Sequence, residues 1–177
     1  MIYKKLKRYI VNIFTILFVM TISSCKVNYS FTGASIAPDV KTVSIQYFQN
    51  TAPIAPNNIN QVFTEALKDI ISTQTNLSAV PKYGDVRFEG TVSSYSVSPL
   101  AVQSVGGSNS AQLNRLTIIV DVKFENTKDD KLSYSQSFSN FADFSASTNL
   151  TTEQTRLVKD ISQKIVQDIF TKSFVNW

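Results

Sequence analysis

Apolar residues recur three or four positions apart from residue 59 to residue 71, placing Ile59, Val62, Phe63, Ala66, Leu67, Ile70 and Ile71 on one face of a helix. Asn58 stands at the N-cap position of this helix, with Gln61 three residues on. A second helix follows Thr151-Thr152-Glu153-Gln154, which has the form of a capping box. Its stripe is Leu157, Ile161, Ile165 and Ile169, flanked by Val158, Val166 and Phe170. Elsewhere the period is two. In residues 41–48, Val43, Ile45 and Tyr47 alternate with Thr42, Ser44 and Gln46, which predicts a strand buried on one face and ended by Pro53 and Pro56. Residues 85–99, 114–126 and 131–140 predict three more strands.

An antiparallel register between two of these strands follows from their side chains. Leu116, Ile118, Val120, Val122 and Phe124 alternate with Thr117, Asp121, Lys123 and Glu125. Setting Phe88 opposite Phe124 also sets Arg87 opposite Glu125 and Glu89 opposite Lys123, so apolar meets apolar and each charge meets its opposite. Residues 101–110 then form the connecting loop, centred on Gly106-Gly107. The parity of apolar positions slips near Ser94 and Tyr95, which predicts a bulge there. In the last strand Ser133, Ser135, Ser137 and Ser139 line one side, with Leu132, Tyr134 and Phe138 on the other. Whether Phe124 faces Leu132 or Tyr134 is open at this level. The pattern predicts an α+β two-layer sandwich, with two amphipathic helices on one face of a mixed sheet of four or slightly more strands and a serine-rich opposite face left bare.

The N-terminus has a different character. Lys4, Lys5, Lys7 and Arg8 precede an apolar run, residues 10–22, that ends in Ile22-Ser23-Ser24-Cys25. This is a lipoprotein signal with a lipobox, and the run, broken by Asn12 and Thr15, is shorter than the roughly 20 apolar residues of a membrane span. The chain's single cysteine, Cys25, is the residue a diacylglyceryl transferase would modify. The predicted organisation is a signal peptide over 1–24, a lipidated tether over 25–40 and one α/β domain over 41–177. Cleavage changes the charge balance: without the four basic residues of the signal, 13 Lys and Arg face 13 Asp and Glu. No basic field remains to suggest a nucleic-acid partner. No aspartate follows Cys25, so an outer-membrane address on the periplasmic side is expected, with the membrane reached through the lipid anchor.

Composition narrows the chemistry. The chain has no histidine, and its one cysteine is assigned to lipid, which removes Ser-His and Cys-His nucleophiles and the commonest zinc ligands. Val105-Gly106-Gly107-Ser108 lacks the spacing of a dinucleotide fingerprint, and Asp129-Asp130 reads as turn-forming. No enzyme, metal or cofactor is expected. The candidate contacts with a partner or lipid are Arg87, Ser108, Arg115, Thr117, Lys123 and Ser135, on the polar sheet face or the flexible loop.

Several segments, taken in order, resemble the LptE family in its Bacteroidetes-type form. They are Tyr29-Ser30-Phe31-Thr32-Gly33-Ala34-Ser35-Ile36, Phe63-Thr64-Glu65-Ala66-Leu67-Lys68-Asp69, Phe88-Glu89-Gly90, Asn114-Arg115-Leu116-Thr117-Ile118, Phe141-Ala142-Asp143-Phe144, Asp168-Ile169-Phe170 and Asn176-Trp177. The resemblance implies a two-layer fold that plugs the lumen of an LptD-type outer-membrane β-barrel and helps deliver lipopolysaccharide to the cell surface, with lipopolysaccharide itself as a further ligand. The basic residues credited with lipopolysaccharide contact in enterobacterial members have no matching motif here. The competing reading is an auxiliary lipoprotein of an ABC-type envelope lipid transporter.

Overall fold

Six strands and two helices follow one another as β1 (Thr42–Ile45), β2 (Gln49–Asn50), α1 (Ile59–Gln74), β3 (Ser78–Ala79), β4 (Val86–Leu100), β5 (Leu113–Asn126), β6 (Tyr134–Ser145) and α2 (Leu150–Phe174) in the computed structural model, which describes residues 36–100 and 112–175. The sheet order is β3-β1-β4-β5-β6, with β2 also paired to β4. β1 runs parallel to β3 and β4, and β4-β5-β6 form an antiparallel meander. Both helices cover one face, as the alternation predicts.

The core lies between these layers. β4 and β5 contribute Val86, Phe88, Val92, Leu116, Ile118, Val120, Val122 and Phe124, all at most 1% exposed. The helices answer with Ile59, Phe63, Leu67, Leu157, Ile161, Ile165 and Ile169, which are completely buried. At one end Phe88, Phe124 and Phe174 meet as a cluster of tilted and edge-on rings with centroids 4.9 to 6.0 Å apart. Among the described residues every buried side-chain polar atom has a hydrogen-bond partner.

The β4–β5 register is the one expected from the side chains, with Arg87 opposite Glu125, Phe88 opposite Phe124 and Glu89 opposite Lys123. The bulge falls at Ser93, between the pairs Val92–Val120 and Ser94–Ile119, one residue before the predicted place. Phe124 faces Tyr134, which settles the open register. The last strand differs from residues 131–140 at both ends. The Asp129 side chain accepts from the Lys131 N–H and tightens Asp130–Leu132 into a 3-10 turn, so pairing begins only at Tyr134. At the far end alternation continues through Ala142 and Phe144, and pairing reaches Ser145.

Two further expectations are corrected. α2 starts at Leu150, capped by the Asn149 side chain, which accepts from the Thr151 N–H at 2.9 Å. Thr151 to Gln154 therefore lie inside the helix, and the Gln154 amide donates to the Tyr95 hydroxyl at 3.0 Å. Asn58 occupies the N-cap position of α1 without a side-chain capping bond.

The predicted strand 41–48 is interrupted. Ile45 pairs with Phe88 but Gln49 pairs with Thr91, so three residues on one side span two on the other. The extra residue reverses the faces beyond it: Tyr47, expected in the core, is 58% exposed, and Phe48 is 1% exposed. Phe48 enters the core above Gly90, where a Cβ would overlap its ring, and its N–H is held by the Thr64 hydroxyl of α1 at 3.0 Å. Glycine at 90 makes the space that the slipped strand fills.

Asp85 ties the start of β1 to the start of β4. Its carboxylate accepts from the Lys41 and Thr42 N–H groups at 3.0 and 2.9 Å and from the Thr42 hydroxyl at 2.8 Å, with the Lys128 ammonium at 3.1 Å. These donors, led by the Lys41 N–H, hold its carboxyl well below the ordinary carboxylate range. A depressed folded pKa adds stability that is present above the unfolded value of about 4 and lost as pH falls through the folded one. Thermal melts should therefore show the native chain losing stability below about pH 4, with a shallower acid limb in Asp85→Asn. Identical acid limbs would remove this carboxylate from the account.

Candidate functional site

Neither of the described helices covers the other face of the sheet, where β4, β5 and β6 order the side chains into rows. One row is Arg87 and Glu125, the next Glu89, Lys123 and Ser135, then Thr91, Asp121 and Ser137. Beyond the bulge come Ser94, Ile119 and Ser139, then Ser96, Thr117 and Phe141, then Ser98, Arg115 and Asp143. The alternation that buries one set of side chains forces the other set outward.

Five of the sequence-predicted contacts share this face: Arg87, Arg115, Thr117, Lys123 and Ser135. They are spread along it, with Lys123 opposite Ser135 and Thr117 two residues along β5 from Arg115, while Arg87 lies toward the opposite end from Arg115. Ser108 and Cys25 lie outside the described residues.

The charges on this face are largely committed to one another. Arg87 reaches Glu125 at 3.4 Å, and Lys123 turns to the same carboxylate at 3.9 Å. The expected Lys123–Glu89 pairing holds as strand register, but Glu89 accepts from the Gln46 amide at 2.9 Å. Arg115 forms a two-pronged bridge to Asp143, Nε to Oδ1 at 2.8 Å and Nη2 to Oδ2 at 3.0 Å. Its guanidinium also lies 3.6 Å from the centre of the Phe141 ring. These hydrogen bonds, donated by Arg115 and accepted by Asp143, raise the Arg115 pKa and lower that of Asp143. Ser137 donates to Asp121. The face is thus a self-paired mosaic of charges and hydroxyls, suited to many modest polar contacts.

Sequence reasoning missed two features here. Phe141, 42% exposed, stacks under Arg115 on the polar side, in a part of β6 beyond the predicted strand end. A depression of about 240 Å³ lies beside the strand interruption, lined by Gln46, Tyr47, Gln49, Glu89, Thr91, Asp121, Lys123 and Ser135, with Gly90 and Val122. The period-2 reading hid it by turning Tyr47 inward. A separate apolar hollow of about 250 Å³ at one end of the sheet is lined by Ile36, Val40, Val86, Leu132 and Phe174 among others. Among the described residues no helix is long and apolar enough to cross a membrane.

The family model LptE, described as lipopolysaccharide-assembly, matches residues 40–173. No curated protein sequence matches. Among solved structures, a neuraminyllactose-binding hemagglutinin homolog from Helicobacter pylori superposes with a TM-score of 0.53 at 11% identity, covering 82% of this chain and 91% of that one. A minor lipoprotein from Acinetobacter baumannii gives 0.46 at 12% identity, covering 76% and 96%. The rare lipoprotein B from Shewanella oneidensis gives 0.45 at 13% identity, covering 72% and 91%.

Proposed function

The chain belongs to the LptE lipopolysaccharide-assembly family, and from that premise we propose that it is a lipid-anchored outer-membrane protein that seats in the lumen of an LptD-type β-barrel and helps assemble lipopolysaccharide at the cell surface. The observation that carries this reading is the open sheet face. It extends over three strands, is hydrophilic along most of its length and is not covered by either helix. Outer-membrane barrels have polar interiors, so a wet, self-paired surface of this kind matches a lumen wall better than it matches lipid.

The role is one of binding, with no chemical step. Short hydroxyl side chains such as Thr117, Ser135 and Ser137 accept and donate in turn, and bridging waters extend their reach. Arg115 is stiffened by Asp143 and Phe141, which presents a fixed polar edge to a partner. Cys25, carrying the acyl chains, keeps the domain at the membrane.

Affinity purification of the tagged full-length chain from solubilised outer membranes tests this reading. A large β-barrel should copurify. Recovery of an ATPase complex in its place would support the transporter-auxiliary role and overturn the plug.

A further inference from the structure

Tyr47 is a large aromatic side chain held 58% exposed at the rim of the depression on the open face. The strand slip that drives Phe48 inward is what turns Tyr47 outward, and such irregularities re-aim side chains beside binding sites. Two carboxylates (Glu89 and Asp121), two amides (Gln46 and Gln49), one ammonium (Lys123) and two hydroxyls (Thr91 and Ser135) converge on about 240 Å³. The floor is backbone, because both residues there face the core side: a side chain at 90 would run into the buried Phe48 ring, and that of Val122 is 1% exposed.

We propose that this depression binds a neutral sugar residue through its vicinal hydroxyls, with Tyr47 packing on the sugar's apolar face. Size, charge and hydrogen-bond capacity agree on this class. Glu89, Lys123 and Ser135 form one row across three strands and Thr91 and Asp121 begin the next, giving a polar grid of about 10 by 7 Å at ordinary strand spacings. That is the scale of a single ring, and the volume is below the roughly 300 Å³ at which drug-sized pockets begin. Two carboxylates against one ammonium disfavour a phosphate and suit a ligand rich in O–H donors. Both carboxylates are already oriented, Glu89 by Gln46 and Asp121 by Ser137, and each offers about four acceptor directions, of which these bonds occupy one. The inference stands on these side chains and does not require the barrel.

The test uses the full-length chain in a detergent without sugar headgroups. Saturation-transfer NMR and calorimetry are run with galactose, glucose and mannose, with the oligosaccharide released from lipopolysaccharide by mild acid, and with inorganic phosphate. At least one sugar probe should bind, Tyr47→Ala should weaken it by about tenfold or more, and Tyr47→Trp should retain it. Asp121→Asn should weaken the same probe. Binding of the oligosaccharide alone identifies a lipopolysaccharide glycan as the source, and equal binding of a monosaccharide identifies the free sugar. No binding by any sugar, binding indifferent to Tyr47→Ala, or phosphate bound more tightly than every sugar would overturn the proposal. Copurification of a barrel is read independently, so failure here leaves the plug reading standing.

Discussion

Phe124→Ala should cost about 3 to 5 kcal/mol in a urea unfolding curve, a large share of the stability of a small domain. Phe124 is 1% exposed and joins both layers. Its ring lies 4.9 Å from that of Phe88 on the neighbouring strand, 5.3 Å from Tyr134 on the other side and 5.9 Å from Phe174 of α2. Removing it opens a cavity that three separate elements, each meeting it through a stiff aromatic ring, would have to close together. Leu67, Ile118, Val120, Ile161 and Ile165, each fully buried, belong to the same core. A loss under about 1 kcal/mol for Phe124→Ala would mean that the aromatic cluster is not where the layers are held.

Cys25→Ala should abolish incorporation of radiolabelled fatty acid altogether. Ile22-Ser23-Ser24-Cys25 places the only thiol of the chain directly after the expected cleavage point, and the transferase has no other thiol to modify. The signal should then remain uncleaved, visible as a slower band on a gel. Each buried methylene of an acyl chain contributes about 0.8 kcal/mol of membrane affinity, so a protein with several chains stays anchored and one with none depends on its leader. Labelling that persists in the variant would contradict the lipobox reading.

Much of this fold is legible because its signals are local and dense. The stripes of α1 and α2 need only their own residues, and the β4–β5 register needs only two strands whose charges and aromatic side chains match. The strand interruption at 46–48 was hidden for the opposite reason. Nothing in the local alternation shows that Gly90, more than 40 positions away, leaves a hole that Phe48 fills, so the alternation alone puts Tyr47 on the wrong face. Helix starts were likewise decided by competition among neighbouring polar residues. Asn149 outcompeted Thr151 as the cap, and Asp129 drew residues 130–132 out of the sheet. The polar face itself was readable from the serine alternation, and the depression on it was not, because it exists only where the slipped strand meets β4.

The central claim is contact between the open face and a barrel wall. A photoreactive amino acid placed at Ser135 or Thr117 of the full-length chain, activated in intact cells, reads that contact directly. Both positions lie on the open face, on different strands and in different rows. The predicted result is a covalent adduct with a large outer-membrane β-barrel from both positions. Adducts with only an inner-membrane transporter, while the protein still supports lipopolysaccharide assembly, would contradict it.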